Sequence, residues 1–175
     1  NKMIQENPFM GFTICRKQKD VEFLTQEEVA RIRRAYMPSV NLERIRDLFL
    51  FQCYTALSYC DMAALKPSDF KTNDLGYIYI DGVRLKTKVK FIAILFEDAI
   101  YIAKKYDYKL PIISNQRYNT NLKILADICG IKKPLHTHIG RHTAACYLLN
   151  KGLGLDIVAK IMGHSSTKLT KHYAK

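Results

Sequence analysis

Only one stretch of this chain reads as β-structure, and that limits the fold more than any other feature. In GYIYIDGVRLKTKVKFIAIL, residues 76–95, Ile, Val and Tyr crowd together as they do in strands. Asp81-Gly82 reads as a hairpin turn, and a second reversal falls within KTKVK, residues 86–90. Elsewhere the apolar residues recur at helical spacing. The expectation is a mainly α fold with a small antiparallel β-sheet, an α+β domain.

The helices carry their own boundary signals. FLTQEEVARIRRAY opens the first, with Thr25 and Glu28 in a capping-box pattern and Phe23 as an outside staple. Asn41 is expected to cap the second, where Leu42, Ile45, Leu48, Phe49 and Gln52-Cys53 trace a buried stripe. SYCDMAAL continues it briefly, until Lys66-Pro67 stops the helix. After the strands, EDAIYIAKKY is helical. Ser114 caps NQRYNTNLKILADIC, and Gly130 closes it. Thr137 is expected to cap HIGRHTAACYLLNK, which Gly152 ends. DIVAKIM then stops at Gly163, and a last helical turn or two follows Ser165-Ser166.

Composition narrows the class. A chain of 175 residues, 48% hydrophobic, supports one domain with a real core. No apolar run approaches the ~20 residues of a membrane span. Residues 1–20 lack periodicity and read as a linker; with no initiator Met, the sequence is expected to be a piece of a longer protein whose N-terminal domain is missing here. The five Cys are odd in number and form no C-x-x-C pair, which points to a reduced, cytoplasmic setting. The net charge of +12 favours a polyanionic partner, most often nucleic acid, over a merely basic surface.

The chemistry concentrates near the C-terminus. In HTHIGRHTAAC, His138 and Arg141 lie three apart in a first helical turn and share a face. With the free amides of that turn they would make a phosphate receptor; a surface Arg beside a core His is the equal alternative. His142 falls on the face continuing into Cys146 and Leu149 and reads as a core residue. Gly163-His164 follows the next helix, and Tyr173 comes nine residues after His164.

The string H-x-x-R-H-T, then IVAKIMGHSS, then T-x-x-Y resembles the tyrosine recombinase (phage-integrase) family, specifically its catalytic domain. The likeness runs from about Phe23 to the end, so 21–175 is taken as that domain. In finer detail it is similar to integrases of Bacteroides-type conjugative transposons. The resemblance implies that Tyr173 attacks a DNA phosphodiester and forms a 3′-phosphotyrosyl ester, which a 5′-hydroxyl later reverses. Neither metal nor ATP is implied as a cofactor. Arg141 would clamp the non-bridging oxygens with paired donors. His138 and His164 would add donors, with His138 helping to remove the phenol proton. Lys86, in RLKTK, would protonate the leaving oxygen; a lysine-rich strand edge is the plainer reading of that residue. The implied partners are double-stranded DNA, further copies of the chain assembled on it as a tetrameric synapse, and the missing N-terminal DNA-binding domain of the same chain.

One departure stands out. The family pattern resembles T-G-x-R-x-x-E, and here the stretch is YTALSYCDMAAL. Ala56 replaces Gly, Asp61 replaces the Glu, and Ser58 occupies the Arg position. Losing one transition-state donor costs about 2.7–4 kcal/mol, or ~10²–10³ in rate. Either the chain is a catalytically impaired DNA-binding relative, or another cation compensates. Arg84 is the candidate. Two residues from Lys86, it would project from the same strand face, within reach of phosphate. Rival classes are a helix-turn-helix module in LDIVAKIMGHSSTKLTKHY, a type IB topoisomerase, and a metal site at His136, His138, His142 and His164, which the intervening Arg disfavours.

Overall fold

The computed structural model describes residues 21–174, and the linker read at residues 1–20 lies outside the described residues. Seven helices and three strands follow one another within them: α1 Gln26–Arg34, α2 Val40–Thr55, α3 Tyr59–Ala63, β1 Phe70–Thr72, β2 Ile78–Val83, β3 Lys90–Ile94, α4 Glu97–Lys105, α5 Asn115–Ile128, α6 Thr137–Asn150 and α7 Leu155–Met162. Two single 3₁₀ turns, Thr167–Leu169 and Lys171–Tyr173, complete the tail. The α+β expectation holds.

Helix α2 is the axis. Ile45, Leu48, Phe49, Leu50, Phe51 and Cys53 are all buried, because α1, α4, α5 and α6 pack around it. Each such large side chain stabilises the fold by about 1.5–3 kcal/mol relative to exposure. Gly140 lets α6 come close. A Cβ there would lie 3.1 Å from the Gln52 Cβ and 3.4 Å from the Phe49 ring. That contact fixes the first turn of α6, where Arg141 sits. Gln52 is itself held inside, since its Oε1 accepts the Tyr118 hydroxyl at 3.0 Å.

The caps agree in part with the sequence. The Thr25–Glu28 box is formed in both directions, at 3.2 and 2.7 Å. Ser114 caps α5, and Gly130 closes it with φ +60°. Two caps differ. Ser39, not Asn41, starts α2, its Oγ accepting the Leu42 N–H at 3.2 Å. Helix α6 begins at Thr137 after His136, without a side-chain cap from either; Asn119 of α5 accepts the Thr137 N–H at 3.1 Å.

The sheet has the order β1-β2-β3, antiparallel throughout. It overturns the first of the two turns read from the sequence and bears out the second, within residues 86–90. Asp81 and Gly82 lie inside β2, paired with Ile92 and Phe91. Gly82 is there because the Phe91 ring fills the space a Cβ would take, 2.7 Å from its position. The reversal lies at residues 84–89, where Arg84 N–H bonds Val89 O and Lys88 N–H bonds Arg84 O, both at 2.9 Å. Lys88 adopts the left-handed φ of +59° that closes it. The shared strand face expected for Arg84 and Lys86 is also overturned: past β2 the chain curls, Arg84 turns inward and Lys86 outward.

Helix α2 ends on Ala56, with φ +59° and ψ +13°. An L-residue there costs about 1–2 kcal/mol that glycine avoids. Replacing Ala56 by Gly relieves that strain but frees the unfolded chain and removes a fully buried methyl worth about 0.8 kcal/mol, so stability is expected to change by less than about 1 kcal/mol. Urea denaturation would read this directly.

Candidate active site

Three elements converge on one pocket: the first turn of α6, the C-terminus of α7 with the tail after it, and the turn between β2 and β3. Arg141 is the centre. Its Nη1 donates to Ala56 O and its Nη2 to Met162 O, each at 2.6 Å. Both acceptors sit at helix C-termini, where unpaired carbonyls carry partial negative charge. They hold the guanidinium in place, and it makes no salt bridge among the described residues. Burial, then the like charge of Arg84, pulls its pKa down to about 10.

Arg84 reaches the same place from the turn. It is 5% exposed, ion-paired to Asp61, and donates to the Met162 carbonyl that Arg141 also uses. Its guanidinium lies 4.9 Å from the Phe91 ring centre. Gly163, at φ +58°, permits this; a Cβ there would fall 2.7 Å from Arg84 Nε. Ser58 caps α3 by accepting the Asp61 N–H, and its hydroxyl donates to the Asp61 carboxylate. Asp61 also accepts the Leu85 N–H at 3.0 Å. Ser58, Asp61, Arg84 and Arg141 are thus joined into one network by hydrogen bonds. Burial opposes the Asp61 charge, but its Ser58, Leu85 and Arg84 partners outweigh that and hold its pKa below the usual value.

Lys86 sits at the exposed tip of that turn, with no hydrogen bond or ion pair to any described residue. Arg84 and Lys86 therefore do not share a face. The turn is anchored beneath by Arg84 and Leu85, and only its tip is free.

The tail is docked, although its sequence is polar and basic. Thr170 is fully buried, and its Oγ1 lies 2.9 Å from His164 Nδ1. Tyr173 is half-buried against the apolar cluster of Ala56, Ala144, Ala145, Leu148, Val158 and Met162. Its ring stacks on His164, centres 6.3 Å apart and planes 16° from parallel. Its hydroxyl lies 3.0 Å from His142 Nδ1. Burial raises the phenol pKa, and Arg141 pulls it partly back.

His142, read as a core residue, is half-buried, and sequence reasoning missed its contact with Tyr173. It does lie on the Cys146 face of α6, but the tail covers that face: Cys146 Sγ reaches Tyr173 O at 3.8 Å. The i, i+4 step from His138 to His142 was the available signal. His138 is exposed and stacks on His142 at 6.2 Å, with His136 edge-on to it at 6.1 Å. Of the residues expected at the site, Arg141, His164, Tyr173, Arg84 and Ser58 are brought together; His138 lies at the rim.

Burial and neighbouring cations hold His142 and His164 down to about 4, from 6.5. Between those values the unfolded chain binds more protons than the folded one. Their contribution to stability is therefore complete above about pH 6.5 and lost as pH falls towards 4. Denaturation midpoints should drop between about pH 7 and 5, and less so in the double variant His142→Gln, His164→Gln.

A fold with these cationic, imidazole and phenol groups gathered at one helix junction defines a class. The chain belongs to the phage integrase family, whose model matches residues 22–175. A tyrosine recombinase of Thermosipho africanus is 27% identical over 98% of this chain, and the tyrosine recombinase XerC of Bacillus licheniformis is 24% identical over the same share. The chain spans 63% of the length of each. Among solved structures, the XerA recombinase superposes with a TM-score of 0.68 at 23% identity, covering 90% of this chain and 61% of that one. A lambda integrase dimer bound to a COC′ core site gives 0.71 at 18%, covering 98% and 65%. At these identities the likeness of structure establishes the fold.

Proposed function

We propose that this chain is the strand-cleaving domain of a site-specific DNA recombinase acting through a 3′-phosphotyrosyl intermediate. One observation carries the reading: the Tyr173 hydroxyl lies 3.0 Å from His142 Nδ1, in the field of Arg141 and with its ring parallel to His164, all in the same chain. Tyr173 Oη attacks phosphorus, the P–O5′ bond breaks, and the leaving oxygen takes up a proton. The phosphoester bond is conserved in the protein–DNA link, so the step needs no external energy source. A phosphodiester in the pocket would draw the Arg141 donors from the two carbonyls onto its non-bridging oxygens. His164 adds a second polar contact, and His138 a rim contact. Lys86, on a free turn tip above an anchored base, is the candidate proton donor to O5′.

Double-stranded DNA fits the +12 charge and the exposed Lys86, Lys88 and Lys90 beside the pocket. Solved relatives include XerH bound to its difH substrate, at 18% identity. Joining two duplexes requires several chains, so assembly into a tetramer on DNA belongs to the same proposal, as does an N-terminal DNA-binding domain completing the grip. The test uses nicked duplexes whose cleaved end diffuses away, drawn from a randomised pool. A protein–DNA adduct that survives denaturation is the expected product. Its absence across the pool would leave only the DNA-binding reading.

A further inference from the structure

We propose that His142 takes the proton from Tyr173 as the phenol attacks phosphorus. This rests on the strand-cleaving reading above and assigns a role that neither the family motif nor the comparisons supply.

The geometry selects His142 from the group His136, His138, His142 and His164. Its Nδ1 is 3.0 Å from Tyr173 Oη. His164 lies nearly parallel to the same ring, but its Nδ1 is engaged by Thr170 Oγ1 and it makes no hydrogen bond to the hydroxyl. His138 stacks on His142 and makes no hydrogen bond to Tyr173. His136 lies beyond His138.

Protonation agrees. The groups facing His142 are His138 and Arg141 on α6, His136 before it, Cys146 one turn on, and His164 and Tyr173 from the tail side. Burial, then His138, His136 and Arg141, keeps the ring neutral near pH 7. A neutral imidazole has one acceptor nitrogen. Tyr173, raised by burial, keeps its proton. The contact is therefore O–H donating to Nδ1, with the other proton on Nε2.

The same electrostatics makes the nucleophile wait for DNA. Without phosphate, Arg141 and Arg84 leave the pocket positive, and a second proton on His142 is disfavoured. A phosphodiester brings negative charge beside both rings, so His142 becomes more basic while the cations still favour phenolate. In the reaction the Oη–H proton passes to Nδ1 as the Oη–P bond forms and the P–O5′ bond breaks. O5′ takes its own proton from Lys86 or water. In the reverse step imidazolium returns its proton to Tyr173.

The experiment uses the full-length protein and nicked duplexes selected on the wild type. His142→Asn places an amide oxygen near the Nδ1 position; it accepts the phenol hydrogen bond but takes no proton. Single-turnover adduct formation at about pH 7 should fall by ~10²–10⁴ and recover with rising pH, while Tm and DNA affinity stay near wild type. A bridging 5′-phosphorothiolate, whose sulfur leaves without a proton, should rescue Lys86→Ala and not His142→Asn. Nitrogen NMR of the wild type should find Nδ1 of His142 unprotonated. Wild-type rates in His142→Asn, rescue of that variant by the phosphorothiolate, or a proton on Nδ1 would each overturn the proposal. If the wild type forms no adduct with any duplex, the strand-cleaving reading itself fails, a result distinct from these.

Discussion

Tyr173→Phe is expected to abolish the denaturation-resistant protein–DNA adduct altogether while DNA affinity stays within about twofold. The substitution removes one oxygen from a half-buried ring. It leaves the stacking on His164 and the apolar contacts with Ala144, Ala145 and Met162. The lost hydrogen bond to His142 is worth about 0.5–1.5 kcal/mol, so the tail should stay docked. A fold intact by Tm, bound to DNA and inert, is the signature of a missing nucleophile. Residual adduct would mean that another group makes the bond, and the reading of the pocket would fall. A DNA-binding module without chemistry predicts no adduct from either form.

Arg84→Ala is the second large effect, and it has two parts. The ion pair with Asp61 is buried, so removing one partner strands a charge and costs about 3–5 kcal/mol of stability. Cleavage should also fall by ~10²–10³, the cost of losing one cationic group beside the phosphate. The parts separate in the double variant Arg84→Ala, Asp61→Asn, which removes both buried charges. Stability should largely return and cleavage should not. Measured by denaturation and by adduct formation, recovery of both would make Arg84 a structural cation only. Compensation for Ser58 would then be discarded.

How far the sequence announces this architecture depends on which interactions decide each element. The α1 box and the α5 cap were legible because they are local: Thr25 meets Glu28, and Ser114 meets Arg117, three residues away. Asp81-Gly82 misled because the signal for a hairpin is also local, whereas Gly82 answers to Phe91 across the strand pair. The reversal read within residues 86–90 is the observed turn, and Lys88 in it takes the left-handed conformation usually given to glycine. The contact of His142 with Tyr173 was missed for a reason related to that of Gly82. Its face was read correctly as covered, but periodicity does not reveal that the cover is the tail, with Tyr173 in it. Arg84 was singled out for a geometry it lacks. It lies beside Arg141 through burial against Asp61 and Met162, not through alternation with Lys86.

Tyr173 leans on His142 of its own chain, with Arg141 and His164 from that same polypeptide alongside. On the proposed mechanism each copy would hold its own nucleophile beside its own phosphate-binding groups. In a multi-copy assembly no subunit would then borrow its phenol from a neighbour, and the strand cut would follow from which copy grips it.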